Sequence, residues 1–398
     1  MTCWSTADFT WFRGHLLDDI LPHWLAAAPT ANGFFAAGLD REWRPGGDQV
    51  ATLVSQSRLL FDFATGWSLT GDERYRQAVR EGTQFLCEHF RDRRHGGWYW
   101  SCRPDGTVVD DYKDTYGHAF VIFGLSHAAR CLESGECLAT AVDTARLVRE
   151  RLGDEHGGVF LRADAAFDSF ARSDRRSQNP AMHLFEALLA LADVSGQGPD
   201  RRRAEEGAAF VLGRLVRDDG GLPEDYDSDW RPLPDERGGW INVGHLFEWA
   251  FLLSSAVERG YPADWLGPAE RMLEYGLRVG YDAERGGICT RAPLHGPPTG
   301  AGRAHRGWWE QCEAIRALMH FAVVRCRDDL LGPLARTTGL VRAELIDPEH
   351  GGWYSSASAE DKSKGNVWKV DYHVVGMCAE AVRLAALVPL PGPPGEGA

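Results

Sequence analysis

A short glycine-centred motif returns six times along this 398-residue chain at a nearly constant interval. It reads NGFF at 32–35, HGGWYW at 95–100, HGGVFL at 156–161, DGGLPE at 219–224, RGGICT at 285–290 and HGGWYS at 350–355. The aligned glycines fall at 33, 97, 158, 221, 287 and 352, so the steps are 64, 61, 63, 66 and 65 residues. A fixed interval of this length is the mark of a repeated supersecondary unit that buries its apolar face only against its neighbours. It argues against cutting the chain into unrelated parts, and residues 1–398 are expected to form one domain.

Each unit has the same grammar. An amphipathic helix comes first, clear at Tyr75–His89, Ala139–Arg151, Arg202–Val216, Pro268–Leu277 and Leu334–Leu345. One polar face makes it a surface helix. The glycine turn follows, with a piece too short to be more than a hairpin arm. Then comes a helix that is apolar on most sides and must be buried: Ser55–Gly66, Tyr116–Cys131, Pro180–Ala192, Val243–Ala256, Trp309–Val323 and Tyr372–Leu387. Six such pairs predict an all-α fold, an (α/α)6 barrel with the apolar helices inside and short β-hairpins in the loops. An open solenoid would need polar capping units at both ends, and the terminal units here resemble the central ones. The first outer helix is assigned to Phe12–Ala27, bent at Pro22. Residues 193–203 and 291–303, rich in Pro and Gly, are read as loops.

Composition narrows the function. A formal charge of -14 weighs against nucleic acid and anionic membranes, which select clustered positive charge. No apolar run approaches the ~18 residues of a membrane span, and the N-terminus lacks the pattern of a secretory signal. Nine cysteines without CxxC pairs fit reduced thiols in a cytoplasmic protein, monomeric or homodimeric. No GxGxxG or P-loop fingerprint calls for a nucleotide cofactor. Fifteen tryptophans either fill a large helical core or provide platforms for a sugar-like ligand.

The starts of the buried helices carry the chemistry. They bring Arg58; Tyr116 and His118; Asn179, His183 and Glu186; His245 and Glu248; Trp308, Trp309, Gln311 and Glu313; and Trp368, Lys369, Asp371, Tyr372 and His373. Positions 58, 118, 183, 245, 309 and 373 are spaced by 60 to 65 residues, so in a sixfold ring they are expected to point toward one axis from one end. Each also has a structural reading: His118 as a cap or satisfied core histidine, Tyr116 as packing, Glu186 and Glu248 as partners that fix imidazole tautomers, and Trp308/Trp309 as core on one side and platform on the other. A buried imidazole is costly unless hydrogen-bonded, and three at equivalent positions favour a site. A zinc centre fits poorly, because the histidines lie one per helix beside an arginine that repels a cation. Glycoside hydrolysis needs two opposed carboxylates and no imidazole; Glu248 and Glu313 are its candidates. Imidazoles with an arginine suit proton transfer at a carbon next to a carbonyl, with the enediolate charge held by the guanidinium. A non-catalytic sugar-binding ring is the competing class.

The stretches SQSRLLFDFA, KDTYGHAF, NPAMHLFEALLALAD, GHLFEWAFLL, WWEQCEAIRAL and WKVDYHVVGMCAE, running from 55 to 380, resemble the N-acylglucosamine 2-epimerase superfamily. Its members include aldose–ketose isomerases acting on mannose, sulfoquinovose isomerase and cellobiose 2-epimerases. The resemblance implies an (α/α)6 barrel needing neither metal nor cofactor for chemistry. It implies that His245 and His373 are the acid/base pair, that His183 assists ring opening, that Arg58 binds the substrate and that Glu248 stands beside the first catalytic histidine. Trp308 matches the stacking tryptophan. WKVDYHVV resembles most the mannose isomerase branch, with Asp371 where cellobiose epimerases carry proline; a hydrogen-bond acceptor there would suit a monosaccharide. The expectation is therefore interconversion of D-mannose and D-fructose, with 2-epimerisation as the alternative. Tyr116, His118, Asn179, Trp308, Trp309, Gln311, Glu313, Trp368 and Asp371 are expected around the sugar.

Overall fold

The computed structural model describes residues 6–171, 174–196, 198–237, 239–295, 305–356 and 358–388. Six inner helices span Leu53–Thr70, Thr115–Leu132, Gln178–Ser195, Val243–Glu258, Trp308–Val324 and Tyr372–Ala385. Each begins within two residues of its predicted start. Their neighbours Glu73–Phe85, Gly135–Leu147, Gly198–Arg214, Leu266–Gly280 and Leu331–Glu344 form the outer layer with the N-terminal helical segment. Consecutive inner helices pack on one another, and the last packs on the first, so the array is the closed (α/α)6 ring. Among the described residues, no helix is long and apolar enough to cross a membrane. Most of the predicted 291–303 loop, from 296 onward, lies outside the described residues.

Polar caps set where the inner helices begin. Thr52 and Ser55 form a reciprocal capping box, Asp114 accepts from Gly117 N–H, Ser177 from Asn179 N–H and Asn242 from Gly244 N–H. Each satisfies a donor that the first helical turn leaves open. The first outer segment departs from expectation. It does not simply bend at Pro22; the chain widens into a π turn at His15–Ile20, and Pro22 sits at the start of Leu21–Ala27. Proline has no N–H, and its ring crowds the carbonyl four residues back, so a wider turn just before it relieves both problems.

The glycine motifs are pinned by one recurring device. Asp92, Asp154, Asp282 and Asp347 each accept backbone N–H groups of their own turn and pair with a basic side chain downstream: Lys113, Arg176, Arg306 and Lys364. The Asp92, Asp154 and Asp347 pairs are buried and the Asp282 pair partly so, and removing one partner of a buried pair typically costs ~3–5 kcal/mol. The hairpin arms pair across unit boundaries, for example Ala51 with Cys102, Lys113 with Ala163 and Arg176 with Tyr226. Among the described residues four small sheets result, each of two- or three-residue strands.

The seam of the ring repeats the internal joints. Trp230 takes positive φ, 60°, and covers Gly158, where an added Cβ would lie 2.3 Å from its ring; Trp43, at φ 64°, covers Gly352 with a corresponding 2.4 Å. At the seam the Arg41 guanidinium also donates twice to Asp347, at 2.8 and 3.0 Å, and Trp353 Nε1 donates to His15 Nε2 at 2.8 Å.

Candidate active site

A cavity of about 720 Å3 opens at the end of the ring where the inner helices begin. Arg58, Tyr116, Asn179, His183, His245, Trp308, Trp309, Trp368 and His373 all line it. Both tryptophans of the 308/309 pair reach the cavity, because they stand at the helix mouth rather than mid-helix. The indole of Trp309 lies 5.0 Å from the His245 ring and 5.3 Å from the His373 ring, centroid to centroid. It packs against both imidazoles.

All three histidines are anchored through Nδ1 to a carboxylate: His183 to Glu186 at 3.1 Å, His245 to Glu224 at 2.7 Å and His373 to Glu313 at 2.7 Å. Fixing Nδ1 leaves Nε2 as the nitrogen that can exchange a proton with a ligand. Burial, followed by the positive charges of Arg58 and His183, holds the His373 pKa well below its usual 6.5. Burial also lowers His183, against the pull of Glu186. Burial would raise Glu186, but the His183 N–H, the charge on that ring and the Tyr372 hydroxyl among others keep it low, at about 2.

Arg58 stands in the site without a carboxylate partner. It donates from Nη1 to Trp368 O at 3.0 Å and from Nη2 to the Tyr116 hydroxyl at 2.7 Å, and lies 4.3 Å over the Phe120 ring. No described carboxylate comes within ion-pair distance of it, and its Nε has no partner. A buried guanidinium kept in this state is prepared for an anion that forms during reaction.

Five expected contacts are corrected. His118 does not reach the cavity: Nδ1 is held by Asp114 O at 2.7 Å and Nε2 accepts from Trp98 N–H at 3.1 Å, and burial lowers its pKa to about 4. Gln311 uses its amide on Ile288 and Gly307. Both lie three residues into their helices, with Gln56, which grips Phe35 and Gly33 in the same way. Arg58 and His183 lie five residues in, and two residues on a helix are a rotation of ~200°. The common slot therefore faces the hairpin instead of the axis. Asp371 is fully buried and accepts from Trp24 Nε1 at 3.0 Å and Lys369 Nζ at 3.1 Å, so the ring seam consumes the acceptor expected to meet a sugar. Glu313 stands behind His373 and does not line the cavity. Glu248 also lies beneath the cavity, and neither of its oxygens has a hydrogen-bond partner. It does not orient His245.

That task falls to Glu224, which the repeat reading quoted only as the end of DGGLPE. Its carboxylate accepts from His245, from Gln178 Nε2 at 2.8 Å and from Ser177 Oγ at 3.3 Å; Trp249 Nε1 fixes the Gln178 amide by donating to its oxygen at 2.7 Å. A signal was present: the residues at the corresponding place after the other glycines are Ala36, Trp100, Leu161, Thr290 and Ser355, none ionisable.

Two sets of ligand-type atoms lie within 4.8 Å of one another, His183/Glu186/Glu248 and Glu248/Glu313/His373. Their donor chemistry can hold a divalent cation, and in both histidines Nδ1 is already hydrogen-bonded, to Glu186 and to Glu313. Chain similarity agrees with the geometry. A mannose-6-phosphate isomerase of Rhizobium meliloti is 29% identical over 362 residues, covering 87% of this chain and 89% of the relative. A D-mannose isomerase of Marinomonas mediterranea is 25% identical over 351 residues, covering 84% and 87%. The solved structure of a cellobiose 2-epimerase from Spirochaeta thermophila shares the fold at a TM-score of 0.86, with 24% identity and coverage of 96% and 97%. Residues 33–377 match the family described as N-acylglucosamine 2-epimerase (GlcNAc 2-epimerase), and the chain belongs to that family of sugar isomerases and epimerases.

Proposed function

We propose that the protein interconverts D-mannose and D-fructose through a cis-enediolate, using histidine acid/base chemistry. The observation that carries this reading is Arg58, a buried cation without a counter-anion, facing a cavity with three imidazoles whose Nδ1 atoms are fixed. The sugar opens with His183 assisting at the ring oxygen. His373, kept neutral by burial, takes the C2 proton at Nε2. Arg58 and the Tyr116 hydroxyl it holds balance the charge that grows on the enediolate oxygens, and a proton is returned to C1. His245, backed by the Glu224 anion, handles the hydroxyl proton that moves between O1 and O2.

The cavity wall favours a neutral sugar over a phosphorylated one. Lys369 is spent on Asp371 and the Lys364 carbonyl, and the acidic groups Asp114, Glu224 and Asp225 share the lining with Arg58 and Arg162. A dianionic phosphate would meet these three carboxylates against two cations. The alternative is 2-epimerisation, favoured by one observation: both His245 and His373 line the cavity, so a second acid/base group is present where an isomerase can work with one. Free cysteines throughout the described residues support a cytoplasmic setting.

The deciding measurement is NMR of products formed from D-mannose in deuterated water. Fructose as the first product supports the isomerase; glucose first, or turnover of cellobiose with mannose untouched, assigns the epimerase.

A further inference from the structure

Glu186 connects two cavities. Its Oε2 accepts from His183, which lines the sugar cavity, and from the Tyr372 hydroxyl. The same side chain lines a second cavity of about 470 Å3 at the opposite end of the ring, among Phe61, His127, Ala190, Ser255 and Arg316. Between the two ends stands Glu248, fully buried, with both oxygens unpartnered. Its carboxylate lies within 4.8 Å of the His183–Glu186 atoms on one side and of the His373–Glu313 atoms on the other. A single water spans such a gap.

We propose that Glu186, Glu248 and Glu313 form a proton relay linking the reacting histidines to the water of this second cavity, a rear entrance that works while sugar occupies the front. The proposal rests on the isomerase reading. Three carboxyl groups this close cannot all be ionised, so the core keeps a proton. Burial raises Glu248 well above the ordinary carboxyl range and Glu313 to about 7. The charged groups facing the core are Arg58, Arg316, His183 and His373, and Arg316 Nη1 lies 3.7 Å from Glu313 Oε2. A proton accepted by His373 at Nε2 is matched by one released from Nδ1 to Glu313. A proton then passes by way of Glu248 and Glu186 to water, and reprotonation reverses the steps. Charge is conserved and no co-reactant is needed.

The test fills the rear cavity and leaves the front alone. Ala190→Phe, or Ser255→Phe if the first does not fold, is incubated with D-mannose in deuterated water beside the wild type, and deuterium at the reacting carbon is measured. The wild type is expected to incorporate solvent deuterium, and the filled variants to incorporate at least ~3-fold less with unchanged KM, because blocking water access stops proton leakage. An undiminished deuterium fraction in a folded variant overturns the relay. So does complete transfer without solvent exchange in the wild type, a result that needs no variant. Turnover that requires an added divalent cation after chelation assigns the carboxyl core to a metal instead. If the wild type converts no aldose, the isomerase reading falls; the relay is then decided by NMR exchange of the His183 Nδ1 proton. That exchange slows in Ala190→Phe if the rear route exists and stays unchanged if it does not.

Discussion

His245 and His373 each hold a carboxylate at 2.7 Å on Nδ1, yet the two carboxylates live in different surroundings. Glu224 receives further donors from Gln178 and Ser177. Burial pushes its pKa up, but the His245 charge and these hydrogen bonds outweigh that and bring it below the usual value. Glu313 has His373 on one oxygen, while the other lacks any hydrogen bond and lies nearest Arg316 at 3.7 Å. Burial and the neighbouring Glu186 carboxylate lift it to about 7. Equal distances therefore conceal unequal charge. One imidazole has a fixed anion behind it, and the other has a carboxyl that exchanges a proton near neutrality. Such a division suits a reaction in which one group must stabilise positive charge and the other must accept a proton and release it.

The largest effect tests whether both rings react at all. His245→Ala and His373→Ala should each lower kcat by at least ~10²-fold, the scale of a positioned acid or base, with circular dichroism unchanged. Near-normal turnover in both removes the assignment. Next, the carboxylates are exchanged for amides. Glu224→Gln takes away a fixed charge and should cost ~10-fold or more in kcat. Glu313→Gln should cost less, since an amide imitates a protonated carboxyl; equal losses would break the comparison.

The pH dependence sharpens it further. With the His373 pKa held well below 6.5, its unprotonated base form persists through neutrality, so the loss of kcat that belongs to this ring should appear only below pH 6.5. A second inflection near pH 7 should belong to Glu313 and vanish in Glu313→Gln, as a kcat profile from pH 5 to 9 would show. The smallest effect is on stability. Carboxyls raised above their unfolded value of 4.5 bind protons more tightly in the folded state, so their favourable contribution is complete below that pH and lost as pH rises, for Glu313 through about 7. Glu248→Gln should then raise Tm by at least ~2 °C at pH 8 and by less at pH 5. A Tm that falls equally at both pH values would show that Glu248 is ionised and held by a partner.

The sequence by itself determined the ring. Six glycine motifs about 64 residues apart and six helices apolar on most sides leave few ways to bury that surface, and family-like stretches from 55 to 380 single out Arg58, His183, His245 and His373. All four line one cavity. The register within each helix was not legible from repeat spacing. Near-equal intervals placed His118 beside Arg58 in the count, though the structural counterpart of His118 is Gln56, two residues and ~200° of helix rotation away. Nor could local spacing choose the partners of the histidines. Glu248 sits three residues after His245, on the same helix face by rule, yet the partner is Glu224, twenty-one residues upstream on a hairpin. Asp371, read as a sugar contact, is taken by Trp24 from the other end of the chain. Hydrophobic periodicity is a property of neighbours along the chain, so it survives in the sequence. Which carboxylate meets which imidazole, and how much charge it carries there, depends on groups brought together only when the ring closes.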